Sequence, residues 1–186
     1  MTDIDPFDTL WVLQSEYAKW IADHAEIQSN LYSWNGIIVI SADEEWAIAL
    51  SDINEIVMTP KLTPVPNVKP WLKGIFNLRG ALLAVTDLAE LLTGKTTSIR
   101  HHSRVLARRY EDEWVGILVD GIVSSIIVPK TELKIVDKNT IQAGFRPFVE
   151  EMITVREKRV PILSLAKLVD DASFRRVSSI ETGLIG

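Results

Sequence analysis

The stretch that decides the fold runs from Val65 to Leu92 and reads VPNVKPWLKGIFNLRGALLAVTDLAELL. Two apolar runs of strand length, Leu72–Phe76 and Ala81–Thr86, flank the segment Asn77–Gly80. Gly80 can adopt the positive φ that a tight hairpin turn requires. The stretch therefore predicts a β-hairpin.

A helix-capping pattern follows the hairpin. Asp87 precedes the short apolar segment Leu88–Leu92, and Glu90 stands three residues after Asp87, as in a capping box. Gly94 can end such a helix in the left-handed conformation. The stretch as a whole predicts strand, turn, strand and short helix.

Arg79 stands at the tip of this otherwise apolar hairpin, where no core can cover its charge. A charge held at a rigid tip is a candidate contact point for a partner. A solvated turn arginine would give the same pattern, and composition does not decide between the two. Trp71, on the proline-rich approach to the hairpin, is a candidate interface anchor, whereas most of the 6 tryptophans fall in apolar patterns typical of a core.

Composition limits the classes of protein to consider. The chain has 186 residues, of which 47% are hydrophobic and 24% charged, which suits one globular domain or two small lobes. Its net charge of −5 argues against a nucleic-acid backbone as the main partner. The N-terminus lacks a signal-peptide pattern, and no segment is long and apolar enough to span a bilayer. We therefore expect a soluble, cytoplasmic protein without direct membrane insertion.

The sequence offers no set of residues for catalysis or metal binding. Cysteine is absent, which excludes thiolate zinc sites and cysteine nucleophiles. Of the 3 histidines, His101 and His102 fall in a polar linker, where a solvated pair is the simpler interpretation. No glycine-rich phosphate loop occurs. We expect no catalytic residue, no metal and no cofactor.

Residues 1–32 are predicted to form an N-terminal helical extension, because apolar residues recur there at alternating spacings of three and four. We expect this stripe to pack on the protein's own body, with docking to a partner as the alternative. The segment 172–186 lacks a sustained pattern and is expected to be a mobile tail. The stripe consists of Leu10, Leu13, Tyr17, Trp20, Ile27 and Leu31, with His24 in its remaining position.

Two internal echoes indicate the architecture of the region 33–171. Val85–Leu92 resembles Ile162–Val169, each reading as a strand, a polar cap and a short helix. Glu45–Leu50 resembles Glu113–Leu118, each reading as a strand after an acidic turn. Such duplication predicts two similar β-barrel lobes, since closing each set of short strands removes its exposed edges.

The lobes are expected to span roughly residues 34–100 and 101–171, with exchange of strands between them possible. In this arrangement the polar linker 95–102 joins the lobes, and the proline-rich segment 59–70 is an extended loop leading into the hairpin.

Three motifs, in this order along the chain, resemble the CheW family of chemosensory adaptor proteins. They are Asp52–Ile56 (DINEI), Trp71–Leu88 (WLKGIFNLRGALLAVTDL) and Trp114–Gly121 (WVGILVDG), and the resemblance covers roughly Trp34 to Asp170. The N-terminal extension and the segment Val65–Trp71 are more specifically similar to the CheW-type proteins of type IV pilus chemosensory systems, the twitching-motility branch often called PilI.

The resemblance implies a mainly β fold of two five-stranded, SH3-like barrels and a protein that is not an enzyme. Such an adaptor would couple a CheA-type histidine kinase to the cytoplasmic tip of a methyl-accepting chemoreceptor, near the membrane in receptor arrays, and would control twitching motility. An adaptor for flagellar chemotaxis and a β-barrel nucleic-acid-binding protein are the alternatives. The second lacks a basic, aromatic groove, and a small enzyme lacks a catalytic set.

The resemblance also implies partner-binding residues. The hairpin arginine of the family corresponds to Arg79, and its glutamate before the loop corresponds to Glu55. The candidate partner-binding residues are Arg79, Asn77, Gly80, Ile53, Glu55, Trp71, Val119 and Asp120.

Overall fold

The computed structural model describes residues 32–111 and 113–176. The predicted N-terminal helix and the last ten residues of the chain lie outside the described residues. The strands are β1 (Ser33–Ser41), β2 (Glu44–Ala49), β3 (Glu55–Met58), β4 (Leu72–Leu78), β5 (Ala81–Asp87), β6 (Arg104–Tyr110), β7 (Glu113–Val119), β8 (Gly121–Pro129), β9 (Lys134–Ile135), β10 (Val149–Val155) and β11 (Lys158–Leu163). The α-helices are α1 (Leu88–Thr93), α2 (Leu165–Asp170) and α3 (Ala172–Arg175), and 3₁₀ turns cover Leu50–Asp52, Lys130–Glu132, Lys138–Thr140 and Arg146–Phe148.

These strands form two sheets. The first has six strands in the order β8-β1-β2-β11-β10-β9, and the second has five in the order β3-β6-β7-β5-β4. The prediction of a mainly β protein with two small lobes and short helices after strands is confirmed. The first lobe differs from the expected five strands because the two-residue strand β9 adds to its edge.

Each sheet takes strands from both halves of the chain, so a boundary near residue 100 does not separate the two sheets. The duplicated segments show how this happens. In the first sheet β2 pairs parallel with β11, and in the second β7 pairs parallel with β5. The first copy of one echo therefore lies beside the second copy of the other.

The hairpin β4–β5 is tighter than the four-residue turn of the prediction. Leu78 pairs with Ala81, which leaves only Arg79 and Gly80 in the turn. Their φ angles are 53° and 93°, so both residues are left-handed, as a type I′ turn requires. The backbone N–H of Gly80 donates to the side-chain oxygen of Asn77 at 2.7 Å and fixes the turn.

Two further hairpins use the same two-residue geometry without any glycine. Ala42 and Asp43 connect β1 to β2, and Arg156 and Glu157 connect β10 to β11, all four with positive φ. The sequence predicts longer polar loops at both places, because neither dipeptide carries the glycine that usually marks such a turn.

The capped helix after the hairpin is confirmed as α1. The carboxylate of Asp87 accepts from the backbone N–H of Glu90 at 3.2 Å, and Gly94 ends the helix with φ 75°. The return half of a capping box is absent, because the Glu90 side chain pairs with Lys73 instead. Asp87 is fully buried and also accepts two hydrogen bonds from Thr97, so it ties the segment after α1 to the sheet.

The largest apolar cluster lies between the two sheets. Trp46 of the first sheet is fully buried there and stacks on Phe145 with ring centroids 4.0 Å apart. Ile37 of β1 and Leu106 of β6 belong to the same cluster, which therefore joins the lobes. Each lobe also has one smaller apolar cluster in its own interior.

The segment from Ala172, expected to be a mobile tail, begins instead with helix α3. Phe174 is buried there because its ring stacks on Trp71 at 6.2 Å. A single aromatic residue in a polar segment gives no periodic signal, which explains why the sequence pattern missed this helix.

Candidate functional site

A charge pair joins the hairpin tip to strand β3. The guanidinium of Arg79 donates to a carboxylate oxygen of Glu55 at 2.8 Å. β3 and β4 are the two edge strands of the five-stranded sheet, and Arg79 directly follows β4. The pair therefore connects the two edges of a curled sheet.

Arg79 is held rigidly by its backbone and left open at its side chain. A left-handed conformation costs a residue other than glycine roughly 1–2 kcal/mol, so the turn has to be enforced by the pairing of its strands. The Arg79 side chain is nevertheless 79% exposed, against 24% for Glu55. A guanidinium has five N–H donors, and within the described residues only one bond to Glu55 uses them. The others can meet a partner's carboxylate or carbonyl oxygens.

Large apolar side chains are exposed on the two strands next to this pair, β5 and β3. Leu82 of β5 is 67% exposed, and its strand neighbour Leu83 is fully buried, so Leu82 points outward. Ile56 and Met58 are exposed on the face of β3 opposite Glu55. Arginine and large apolar side chains are among the residues enriched at protein–protein interfaces.

The structure brings four of the eight candidate residues together: Arg79, Asn77, Gly80 and Glu55. Trp71 lies away from them, since it precedes the end of β4 at which Leu72 pairs with Thr86, and its ring is half-buried on Phe174. Trp71 thus stacks on its own chain.

Ile53, Val119 and Asp120 also lie apart from the hairpin tip. Ile53 packs against the core between the sheets, and Val119 is fully buried in it. Asp120 follows the last residue of β7, whose first residues lie level with the start of β5 beside the tip. Seven strand residues separate the two ends by roughly 20 Å. A partner at Arg79 can reach neither the Val119 side chain nor, without a large footprint, Asp120.

Asp120 lines a cavity of about 410 Å³ together with Lys95, Arg100 and His102. Partial burial raises the pKa of its carboxyl, and the nearby carboxylate of Asp87 raises the pKa further. The Ala42 backbone N–H and the His102 side chain act in the opposite direction. The cavity therefore mixes both signs of charge around a carboxyl that ionises reluctantly.

Asp52 makes long-range contacts that its sequence motif does not predict. One of its carboxylate oxygens accepts from Arg108 of β6 at 3.1 Å, and the other accepts from the backbone N–H groups of Leu165 and Ala166 at 3.0 and 3.3 Å. These contacts join the 3₁₀ turn after β2 to β6 and α2. Arg108 is 56 residues from Asp52 and Leu165 is 113 residues from it, and a local motif does not predict contacts at such separations.

Two interleaved β lobes with an exposed arginine–glutamate pair at a rigid turn are the kind of architecture that a protein-binding module has. This chain belongs to the CheW-like domain family, whose pattern it matches over residues 35–173. The match spans both sheets.

Individual relatives agree with this assignment. Protein PilI of Pseudomonas aeruginosa is 29% identical over 123 residues, which are 66% of this chain and 69% of that protein. The chemotaxis protein CheW of Bacillus subtilis is 26% identical over 137 residues, 74% of this chain and 87% of that protein. The crystal structure of the scaffolding protein TtCheW from Thermoanaerobacter tengcongensis has the same fold, with a TM-score of 0.65 at 22% identity, over 75% of this chain and 90% of that one.

Two other kinds of site are absent from residues 32–111 and 113–176. No helix in this part of the chain is long and apolar enough to cross a membrane. No group of three or more histidine, aspartate or glutamate side chains there could hold a metal ion.

Proposed function

We propose that this protein is a non-enzymatic adaptor that couples a chemoreceptor to a CheA-type histidine kinase in a cytoplasmic chemosensory array. The observation that carries the proposal is the exposed Arg79–Glu55 pair, placed at a rigid turn that leads into β5 with its exposed Leu82. Membership of the CheW-like family supports it, since relatives in that family are chemotaxis and scaffolding proteins.

The pair suits recognition better than folding. An exposed ion pair contributes about 0–1 kcal/mol to stability, because water screens it and two long side chains must be ordered. Removing water at an interface strengthens the attraction between the same charged groups. A buried interface arginine commonly contributes about 2 kcal/mol or more to the free energy of binding. Glu55 fixes the direction of the Arg79 guanidinium before a partner arrives, which lowers the entropy cost of binding.

An adaptor needs two rigid faces and no chemistry. The core between the sheets, in which Trp46 and Leu106 are fully buried, fixes the two lobes relative to each other. A kinase on one face and a receptor on another would then be held at a constant separation. This mechanism transmits position, so no proton or bond has to move.

We assign the output to type IV pili and twitching motility, because PilI of Pseudomonas aeruginosa is among the relatives. Flagellar chemotaxis is the second candidate, favoured by the match to CheW of Bacillus subtilis. Deleting the gene and measuring surface twitching and swimming separately distinguishes the two outputs. Loss of twitching with normal swimming is the expected result, and the reverse would assign the protein to flagella.

Affinity capture from a lysate of the native host tests the coupling itself. The tagged full chain should retain both a histidine kinase and a chemoreceptor, identified by mass spectrometry. Capture should weaken with Arg79→Ala and persist with Arg156→Ala, an exposed arginine at the first position of another two-residue turn. Retention of neither partner, or salt-sensitive binding to single-stranded oligonucleotides, would contradict the proposal.

A further inference from the structure

Strand β8 exposes two large apolar side chains, one on each side of Ser125, and a β-bulge lies at Val123. Ser125 pairs with Ile37, which is buried in the core between the sheets, and Ile127 pairs with Asn35 on the same face of the sheet. Val123 and Ile127 are exposed large apolar side chains, Ile127 at 73%. We call Val123, Ser125 and Ile127 the β8 strip.

The strip lies on an edge strand. The last residue of that strand, Pro129, is beside Ser33, the first residue of β1. β8 pairs with β1 on one side only, and Pro129 at its end pairs with Ser33. Tyr32, directly before β1, is itself 74% exposed. Whatever residues precede Tyr32 therefore emerge beside the end of the strip.

The sequence of the preceding 31 residues carries an apolar stripe. From Leu10 to Leu31 the stripe includes Tyr17, Trp20 and Ile27 at helical spacing. A helix over these 22 residues would be about 33 Å long. The β8 strip, from Val123 to Ile127, extends about 13 Å, so the last part of such a helix, from Trp20 to Ile27 and about 10 Å long, is enough to cover it.

From these observations we infer that the N-terminal segment of the same chain docks on the β8 strip, with Ile27 near Ile127 and Trp20 near Val123. Leu31 is one residue from Tyr32, so the segment reaches the Pro129 end of β8 directly and can return along the strand. One contact removes two apolar surfaces from water at once, which either surface alone would leave exposed. The docking belongs to the chain alone and does not depend on the proposed partners.

The strip is less suited to a second copy or to an added strand. Pro129 lacks the backbone N–H that a strand paired along the free edge of β8 would need. The N-terminal segment, in contrast, is joined to Tyr32 beside the Pro129 end of the strip, so it is always present there.

Disulfide trapping tests the inference, because the chain has no cysteine of its own. The double variant Ile27→Cys/Ile127→Cys should form an intramolecular disulfide on mild oxidation. The matched control is Ile27→Cys/Ile135→Cys, since Ile135 is 88% exposed on β9, the opposite edge strand of the same sheet. The intramolecular product should form at least roughly tenfold faster in the first variant, because a disulfide needs Cα atoms within about 7 Å.

Equal rates in the two variants would overturn the inference, as would a disulfide-linked dimer as the main product of the first, which would assign the strip to a second copy. Hydrogen exchange supplies a second measurement without cysteines. Amides of residues 10–31 should be protected in the native chain, and Ile127→Glu should remove that protection while Ile135→Glu leaves it unchanged. Equal protection in both variants would place the segment elsewhere.

Discussion

At the scale of the residue, Arg79 combines a strained backbone with an exposed side chain. A glycine in place of Arg79, next to Gly80, would make the same turn at no steric cost. The chain instead places an arginine at φ 53°. Arg156 has a φ of 48° in the same kind of turn, so the case for Arg79 rests on its exposed guanidinium and its pair with Glu55 and not on strain alone.

Arg79→Gly separates the backbone from the side chain. Glycine relieves the left-handed strain, while the lost ion pair with Glu55 is worth about 0–1 kcal/mol because Arg79 is mostly exposed. We expect the free energy of unfolding to stay level or rise by up to about 1 kcal/mol, while partner binding is lost. Chemical denaturation followed by partner titration measures both. A clearly destabilised Arg79→Gly protein would show that the ion pair is structural.

Asp120 makes stability depend on pH in the opposite sense to most carboxylates. Its pKa is raised from the ordinary 3.8, chiefly by burial and then by Asp87, so the folded state prefers the protonated form. The contribution of Asp120 to the free energy of unfolding should therefore be greatest below 3.8 and fall as the pH rises through the raised pKa.

Asp120→Asn should remove this dependence. The variant should be more stable than the parent at pH 7 and equal to it near pH 3, in melts recorded across that range. A parent whose advantage over Asp120→Asn grows with pH would contradict the assigned direction.

Sequence patterns predict the positions of some residues of the site and not of others. Gly80, Asp87 and the charge of Arg79 were predictable, because glycine, capping residues and a lone tip charge act locally. The pairing of Arg79 with Glu55 was not, because 24 residues separate them and only the curl of the sheet brings them together. Burial of Val119 was equally hidden, since a motif does not show which strand face meets a core.

At the scale of the element, Asp52 holds the 3₁₀ turn between the two sheets. It accepts hydrogen bonds from Arg108, Leu165 and Ala166, and its side chain is mostly buried. Its negative charge also lies at the N-terminus of α2, where the helix dipole stabilises it.

Asp52→Ala should cost about 2–4 kcal/mol of stability, because it leaves the Arg108 charge and two backbone N–H groups without their acceptor. Asp52→Asn should cost less, since an amide oxygen can still accept. Asp170→Ala is the matched control, because its pair with Arg175 is exposed and should be worth under about 1 kcal/mol. Urea denaturation compares the three. Equal stability of Asp52→Ala and Asp170→Ala would mean that Asp52 does not hold the elements together.

Elements with strong local signals were predicted well. The strands of the central hairpin and the helices α1 and α2 lie within one or two residues of their predicted bounds. The turns at Ala42–Asp43 and Arg156–Glu157 are shorter than predicted, because strand pairing imposed left-handed backbone on residues that seldom adopt it. Tertiary contact overrode local preference there.

At the scale of the whole molecule, the two sheets are interleaved and share one core. β7 is the last strand of the second sheet along the chain. β8 starts two residues after β7 ends and belongs to the first sheet. The internal echoes indicated two lobes, but repeats alone do not say whether a strand pairs within its own copy. The observed parallel pairs β2–β11 and β5–β7 join different copies.

Cutting the chain between residues 100 and 101 should therefore give two fragments that fail to fold separately. Each fragment would lack parts of both sheets, and the buried faces of Trp46 and Leu106 would be exposed. We expect no cooperative thermal transition from either fragment, and recovery of one when they are mixed. A cooperative transition in an isolated fragment would show that the lobes are independent.

The central claim is that Arg79 serves recognition and not folding, and one titration series tests it most directly. The Arg79→Ala and Arg156→Ala proteins are matched in exposure, charge and turn position, and both should stay within about 1 kcal/mol of the parent's stability. Titrated with the kinase and with the receptor's cytoplasmic fragment, Arg79→Ala should bind at least one of them roughly tenfold or more weakly, a loss of about 1.4 kcal/mol. Arg156→Ala should bind both as the parent does. If the two variants bind both partners equally well, or if Arg79→Ala unfolds early, the arginine is not the recognition charge of this protein.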